Sequence, residues 1–225
     1  MNNQTFKISA KRGILEFLLI VLGVTIALWL ENISEEYKER SIEQEYLISF
    51  QNDVRKDIIR LKTTIKNNQT IVSNVKIFLD KLMSKKIGNQ EFIENITSLM
   101  NYDYFSPDDF TLESIRASGD FRLLKDKKIK RKILQLKRSY EFIEELQNNF
   151  QGALDDQIVP MIIENVNLTN GTLVNADFPS DHRLANITGY TINDVQGRVG
   201  WYKASLKTAE SLYKLLQEKT GIKES

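Results

Sequence analysis

Residues 13–30 read GILEFLLIVLGVTIALWL, eighteen residues carrying one charge, Glu16. At ~1.5 Å of rise per residue a helix of this length reaches about 27 Å, enough to cross a thin hydrocarbon core. Twelve of the eighteen are Leu, Ile, Val or Phe. Together they favour insertion by roughly 4 to 7 kcal/mol, against ~3 kcal/mol for one acidic residue at the bilayer centre. Glu16 lies near the start of the stretch, close to the interface, where its cost is smaller. A cleaved signal peptide needs small residues after the apolar run, and this run closes on Ala27-Leu28-Trp29-Leu30 instead. Trp29 suits an interfacial position, so the stretch reads as an uncleaved signal anchor.

The flanks set the expected orientation. Lys7, Lys11 and Arg12 precede the stretch with no acid among them, whereas Glu31, Glu35, Glu36, Glu39, Glu43 and Glu45 follow it against Lys38 and Arg40. The positive-inside rule then predicts a cytoplasmic tail over residues 1–12, a single pass through the inner membrane, and a periplasmic domain over residues 31–225. For Glu16 two readings stand. The carboxylate reaches back to the interface beside Lys11 and Arg12, or it meets a partner on a neighbouring membrane helix.

The whole 225-residue chain balances 31 basic against 30 acidic residues, so no global charge draws it to nucleic acid. It has no cysteine and three prolines. The first fact excludes disulfides, iron–sulfur clusters and thiol chemistry; the second suits long helices.

From residue 33 to 83 one helical pattern runs without Gly or Pro. Leu47, Val54, Leu61, Asn68, Val75 and Leu82 fall seven apart, with Ile58, Ile65, Val72 and Leu79 between them. This 3-4 spacing is a coiled-coil-like seam. Asn68 and Gln51 interrupt it, and Asn68 is expected to set register at a cost in stability, so that Asn68→Val should stabilise. Ser84 to Gly88 reads as the helix stop. A short helix is expected over residues 90–102. Another should begin at Ser106-Pro107-Asp108-Asp109, with Ser106 as cap, and stop at Gly119. A second long helix, capped by Asp126, carries Ile129, Ile133, Leu136, Tyr140, Ile143 and Phe150 towards Pro160. Residues 164–192 lose periodicity; Asn170-Gly171 within them suggests a two-residue hairpin turn. Thr191 with Asp194 reads as a capping box opening the last helix, through Tyr202, Leu206, Ala209, Tyr213 and Leu216. The fold class that follows is mostly α: a transmembrane helix, then an antiparallel helical bundle with a small irregular or hairpin insertion. A parallel coiled coil between subunits, built from residues 47–82, is the competing use of the seam.

Three stretches, LEFLLIVLGVTIALWLENISEE, EQEYLISFQNDVRKDIIRL and TLESIRASGDFRLLKDKKIKRKIL, resemble an uncharacterised family of single-pass membrane proteins of Bacteroidetes, a domain of unknown function. The resemblance implies topology and carries no catalytic residues.

Lys125, Lys127, Lys128, Lys130, Arg131 and Lys132 form the densest charge cluster. It reads either as a surface for anionic headgroups or an acidic partner, or as a solvated helix face. No aromatic interleaving supports nucleic acid. His182 is the one histidine, beside Ser180 and Asp181, and three consecutive residues cannot converge as a triad. Glu144-Glu145 and Asp155-Asp156 are adjacent in sequence and diverge on a helix. No catalytic, metal or cofactor site is therefore expected. The reading is a non-enzymatic interaction module that scaffolds or regulates an envelope complex, with membrane lipid and other membrane proteins or a second copy as partners. A ligand sensor using residues 164–192 is the alternative.

Overall fold

The computed structural model describes residues 3–222, with side chains from Glu16 onward. The long flanking cations of the anchor, Lys7, Lys11 and Arg12, thus lie outside the described side chains. Helix α1 spans Asn3–Met83, 81 residues without a break. It takes in most of the expected tail, the whole apolar stretch and the seam. At ~1.5 Å per residue it is about 120 Å long. It ends five residues before Gly88, because Lys85 adopts the left-handed turn (φ 52°) that a glycine usually fills.

The chain then climbs down beside α1. Helix α2 (Asn89–Ile96) and a 3-10 turn over Thr97–Met100 cover the far end. An extended strap, residues 101–109, descends to helix α3 (Phe110–Ala117) and a turn at Asp120–Arg122. Helix α4 (Lys127–Ala153) therefore starts level with Glu39 and Glu43 and runs parallel to α1. Asp126 caps it as expected, accepting from the backbone N–H groups of Lys128 (2.8 Å) and Ile129 (3.1 Å). A wide π-type turn over Leu154–Ile158 leads without a gap into α5 (Val159–Asn165). Pro160 has no N–H for the preceding carbonyl ladder, and a widened turn just before it relieves that mismatch. Strands β1 (Val166–Asn167) and β2 (Thr172–Leu173) form a small hairpin, and α6 (His182–Thr220) returns antiparallel to both long helices. The chain is a mostly α helical bundle.

Three expectations are corrected. Helix α3 begins at Phe110 rather than Pro107, because aspartates from α1, not Ser106, take the backbone N–H groups there. The hairpin pairs Val166 with Leu173 and Asn167 with Thr172. This leaves a four-residue loop, residues 168–171, in which Asn167 accepts from Thr169 N–H and Gly171 takes the left-handed position. The last helix opens at His182 under Asp181, which accepts from Arg183 N–H (2.8 Å). Thr191 is buried inside it, and the irregular stretch shrinks to residues 166–181.

The seam is spent within the chain. Leu47, Val54, Leu61, Val75 and Leu82, with Ile65 and Val72, are buried, and Ile58 and Leu79 half-buried, against α6 and the neighbouring elements. Each fully buried Leu or Val stabilises by roughly 1.5–3 kcal/mol. Residues already covered in this way have no apolar face left for a seam between subunits. The core divides into two layers along α1. The nearer joins Leu47, Leu61, Ile115, Ile129, Ile143 and Leu212. The farther joins Val75, Phe78, Phe92, Phe150, Ile162 and Leu184.

Candidate interaction surfaces

The apolar stretch is the first surface. From Phe17 to Leu30 its large side chains are exposed, and no described side chain of the stretch packs on the bundle. One helix is thus long and apolar enough to cross a membrane, with the exposed Glu16 near its start and Trp29 near its end.

The strap makes the second. Its backbone is held by side chains of α1 and α4. Asn68 donates to Asp103 O (2.8 Å) and accepts from Asp103 N–H (3.2 Å), while its amide also donates to Thr64 O. Gln147 of α4 grips Phe105 in the same two-way manner, accepting from its N–H (2.8 Å) and donating to its carbonyl (3.0 Å). Tyr202 donates to the same Gln147 oxygen (2.8 Å). Below these, Asp57 accepts from Asp108 N–H (2.8 Å) and Asp53 from Thr111 N–H (3.2 Å). Asn68 therefore addresses a loop rather than an opposing polar residue, and the expected gain from Asn68→Val is reversed.

Between α1, α3 and α4, beside the strap, lies a cleft of about 90 Å³. Its floor holds Asp53 and Asp57, only 9% and 3% exposed, and its walls include Val54, Leu112 and Leu136. Burial pushes the Asp57 carboxyl up to about 6. Tyr140 also lines the cleft with its hydroxyl beside Asp57, and burial together with that carboxylate pushes the hydroxyl up. Sequence reading missed this group. Its signal was two aspartates four apart, directly flanking the apolar stripe.

A second buried charge sits in the farther layer. Arg198 of α6, 2% exposed, donates through Nε to Asp194 one turn earlier (2.7 Å). Its guanidinium lies 4.6 Å from the Tyr102 ring centre and 4.3 Å from that of Phe150. The aromatic faces stabilise the buried guanidinium, and the Tyr202 hydroxyl lies beside it. Burial raises the Asp194 carboxyl, and the Arg198 charge opposes that rise.

The basic cluster divides. Lys125 turns to the stem, with Nζ 2.9 Å from Glu39 and its N–H on Glu43, and this bond holds the Glu39 carboxyl below its ordinary value. Lys130 lies over the Phe121 ring. Lys127, Lys128, Arg131 and Lys132 occupy the first turns of α4 and form no ion pair among the described residues. Past the Asp126 cap the first turn carries no acidic residue, and its cations oppose the helix dipole. His182 stands at the start of α6, exposed, with Asp181 3.6 Å away. Among the described residues no group of three or more His, Asp and Glu is placed to hold a metal ion.

These features define a helical-bundle protein with one N-terminal helix fit to span a membrane. The chain belongs to the family of unknown function DUF6090, whose pattern matches residues 16–175. No curated protein and no solved structure matches it.

Proposed function

We propose that the chain is a membrane-anchored interaction module that scaffolds or regulates a complex of the cell envelope, without catalytic activity. The observation that carries this reading is the unbroken α1: the helix that supplies the apolar span also supplies the seam of the bundle core. Through it, a partner's pull on the span is transmitted directly to the domain, and the domain is held at a fixed height above the bilayer. In this reading the helix crosses the inner membrane once, N-terminus inside, and the bundle is periplasmic, supported by the basic residues before the span and the acids after it. The unpaired start of α4 then hangs near the headgroups. Lys125 contacts Glu39, nine residues past Leu30, roughly 14 Å of helix from the end of the span. Lys127, Lys128, Arg131 and Lys132 at that height suit an anionic leaflet. Glu16 is the proposed contact within the span, with a second copy or another membrane protein.

Purification of the full chain from native membranes in mild detergent tests the reading. Protein subunits should accompany it and be lost when residues 13–30 are replaced by an unrelated apolar helix. A small molecule in their place would favour the sensor alternative. The hairpin supports that alternative only weakly, since residues 182–192 of its segment belong to α6.

A further inference from the structure

We propose that the start of α4 docks on anionic phospholipid headgroups and tilts the whole bundle, so that the charge of the leaflet sets where the far end of the domain stands. The inference rests on the reading that α1 crosses a membrane, which fixes the height of the bundle and leaves its tilt open. Lys127, Lys128, Arg131 and Lys132 carry no ion pair among the described residues, and Lys219 of α6 adds its charge beside Asp126. The acids around them are already engaged. Glu39 holds Lys125 (2.9 Å) and Arg122 (3.9 Å), and Glu43 accepts from the Lys125 N–H. Asp120 accepts from the Tyr46 hydroxyl (2.9 Å), and Asp126 from its own helix start. The four cations of α4 thus keep their charge for a partner outside the chain.

The fold says what that partner is. Helix α4 begins level with Glu39, and its N-terminus points back towards the span. Helical side chains lean towards the N-terminus of their helix, so these cations aim at the bilayer. The field of an anionic leaflet attracts each of them and fades within a Debye length of about 8 Å. The patch also stands off the axis of α1. Packed helices are ~8–10 Å apart, and the strap lies between α1 and α4, so the offset is larger still. Tilting α1 by ~20°, an ordinary angle for a membrane helix, lowers the start of α4 by about 4 Å. Lysine ends then reach the headgroup layer. Glu31, Glu35 and Glu36 sit on α1 itself, where the leaflet's repulsion has little leverage. From residue 24 to 83 α1 has no Gly or Pro at which to kink, so the tilt passes undiminished to the far end. From Glu31 to Met83 the helix rises about 80 Å. The same ~20° carries Met83 roughly 25 Å sideways.

Polarised infrared spectroscopy of the full chain in oriented bilayers tests it. The amide dichroism reads the mean tilt of α1, α4 and α6 together, because all three run along one direction. Bilayers of phosphatidylcholine alone are compared with bilayers rich in phosphatidylglycerol, each at low and high salt. The tilt should be larger by about 10° or more with phosphatidylglycerol, and the difference should vanish at high salt. It should vanish as well when Lys127→Glu, Lys128→Glu and Arg131→Glu are combined. Acids near a helix start suit its dipole, so this variant keeps its fold, which circular dichroism checks. The salt comparison tests the proposal in the unaltered chain. Equal tilt in the two lipids, or a difference that survives salt or charge reversal, would overturn the proposal and leave the membrane-crossing reading intact. A chain that enters neither bilayer would overturn both.

Discussion

Asn68 and Asp103 are joined by two hydrogen bonds in opposite directions, the side-chain amide of one matching the backbone N–H and C=O of the other. The pair explains how a parallel α1 and α4 coexist in one bundle. Their connection must return the full height of the domain, and an extended return has backbone groups with no helix to satisfy them. Buried amides do so at Asp103 and Phe105, and buried aspartates at Asp108 and Thr111. Asn68→Val removes both partners of Asp103 at once. It should lower the stability of the full chain by about 1–3 kcal/mol, seen as a lower melting temperature. A higher melting temperature would return Asn68 to the role of a mere seam interruption.

Asp57 makes stability depend on pH in a stated direction. Its carboxyl titrates near 6 when folded, against about 3.9 in an unfolded chain. Between those values the folded state holds more protons, so this group's contribution falls as pH rises through the window and is flat above it. The total is on the order of 3 kcal/mol. Urea unfolding of wild type and Asp57→Asn across pH should show the slope in the first and not in the second. The variant should also be the more stable above neutrality. Parallel curves would show that the carboxyl is not desolvated in the fold.

Arg198 and Asp194 form a partly buried pair within one turn of α6. Removing only the arginine, as Arg198→Met, leaves Asp194 without its cation and Tyr102 and Phe150 without theirs. A loss of about 3–5 kcal/mol is expected. Adding Asp194→Asn should recover much of it, because no charge is then left alone. A double-mutant cycle by denaturant titration measures the coupling, and additive losses would contradict the pairing.

The parts of the fold legible in the sequence were those whose period was clean. The seam of α1 and the stripe from Ile129 to Phe150 announced themselves because apolar residues recur without interruption. The first part of α6 did not. Its buried face contains Thr188 and Thr191, and Gly189 lowers its local helix preference. Packing of its Leu184 and Ile187 into the farther core layer overrides that preference. The start of α3 was misplaced for a related reason. Ser106-Pro107 is a sound local cap signal, yet Asp53 and Asp57 reach it from over fifty positions away in sequence. The cleft was hidden for the same reason, since its members come from separate elements brought together only by the return of the strap.

The central claim is that the span and the bundle act as one unit in a larger envelope assembly. The most direct measurement is the mass of the native particle, with the full chain extracted in lipid nanodiscs from its own membranes. The account predicts a particle heavier than one copy, containing a second copy or another membrane protein, which falls to a single chain when residues 13–30 are replaced by an unrelated apolar helix. A single chain of 26.1 kDa in the wild-type particle would contradict it.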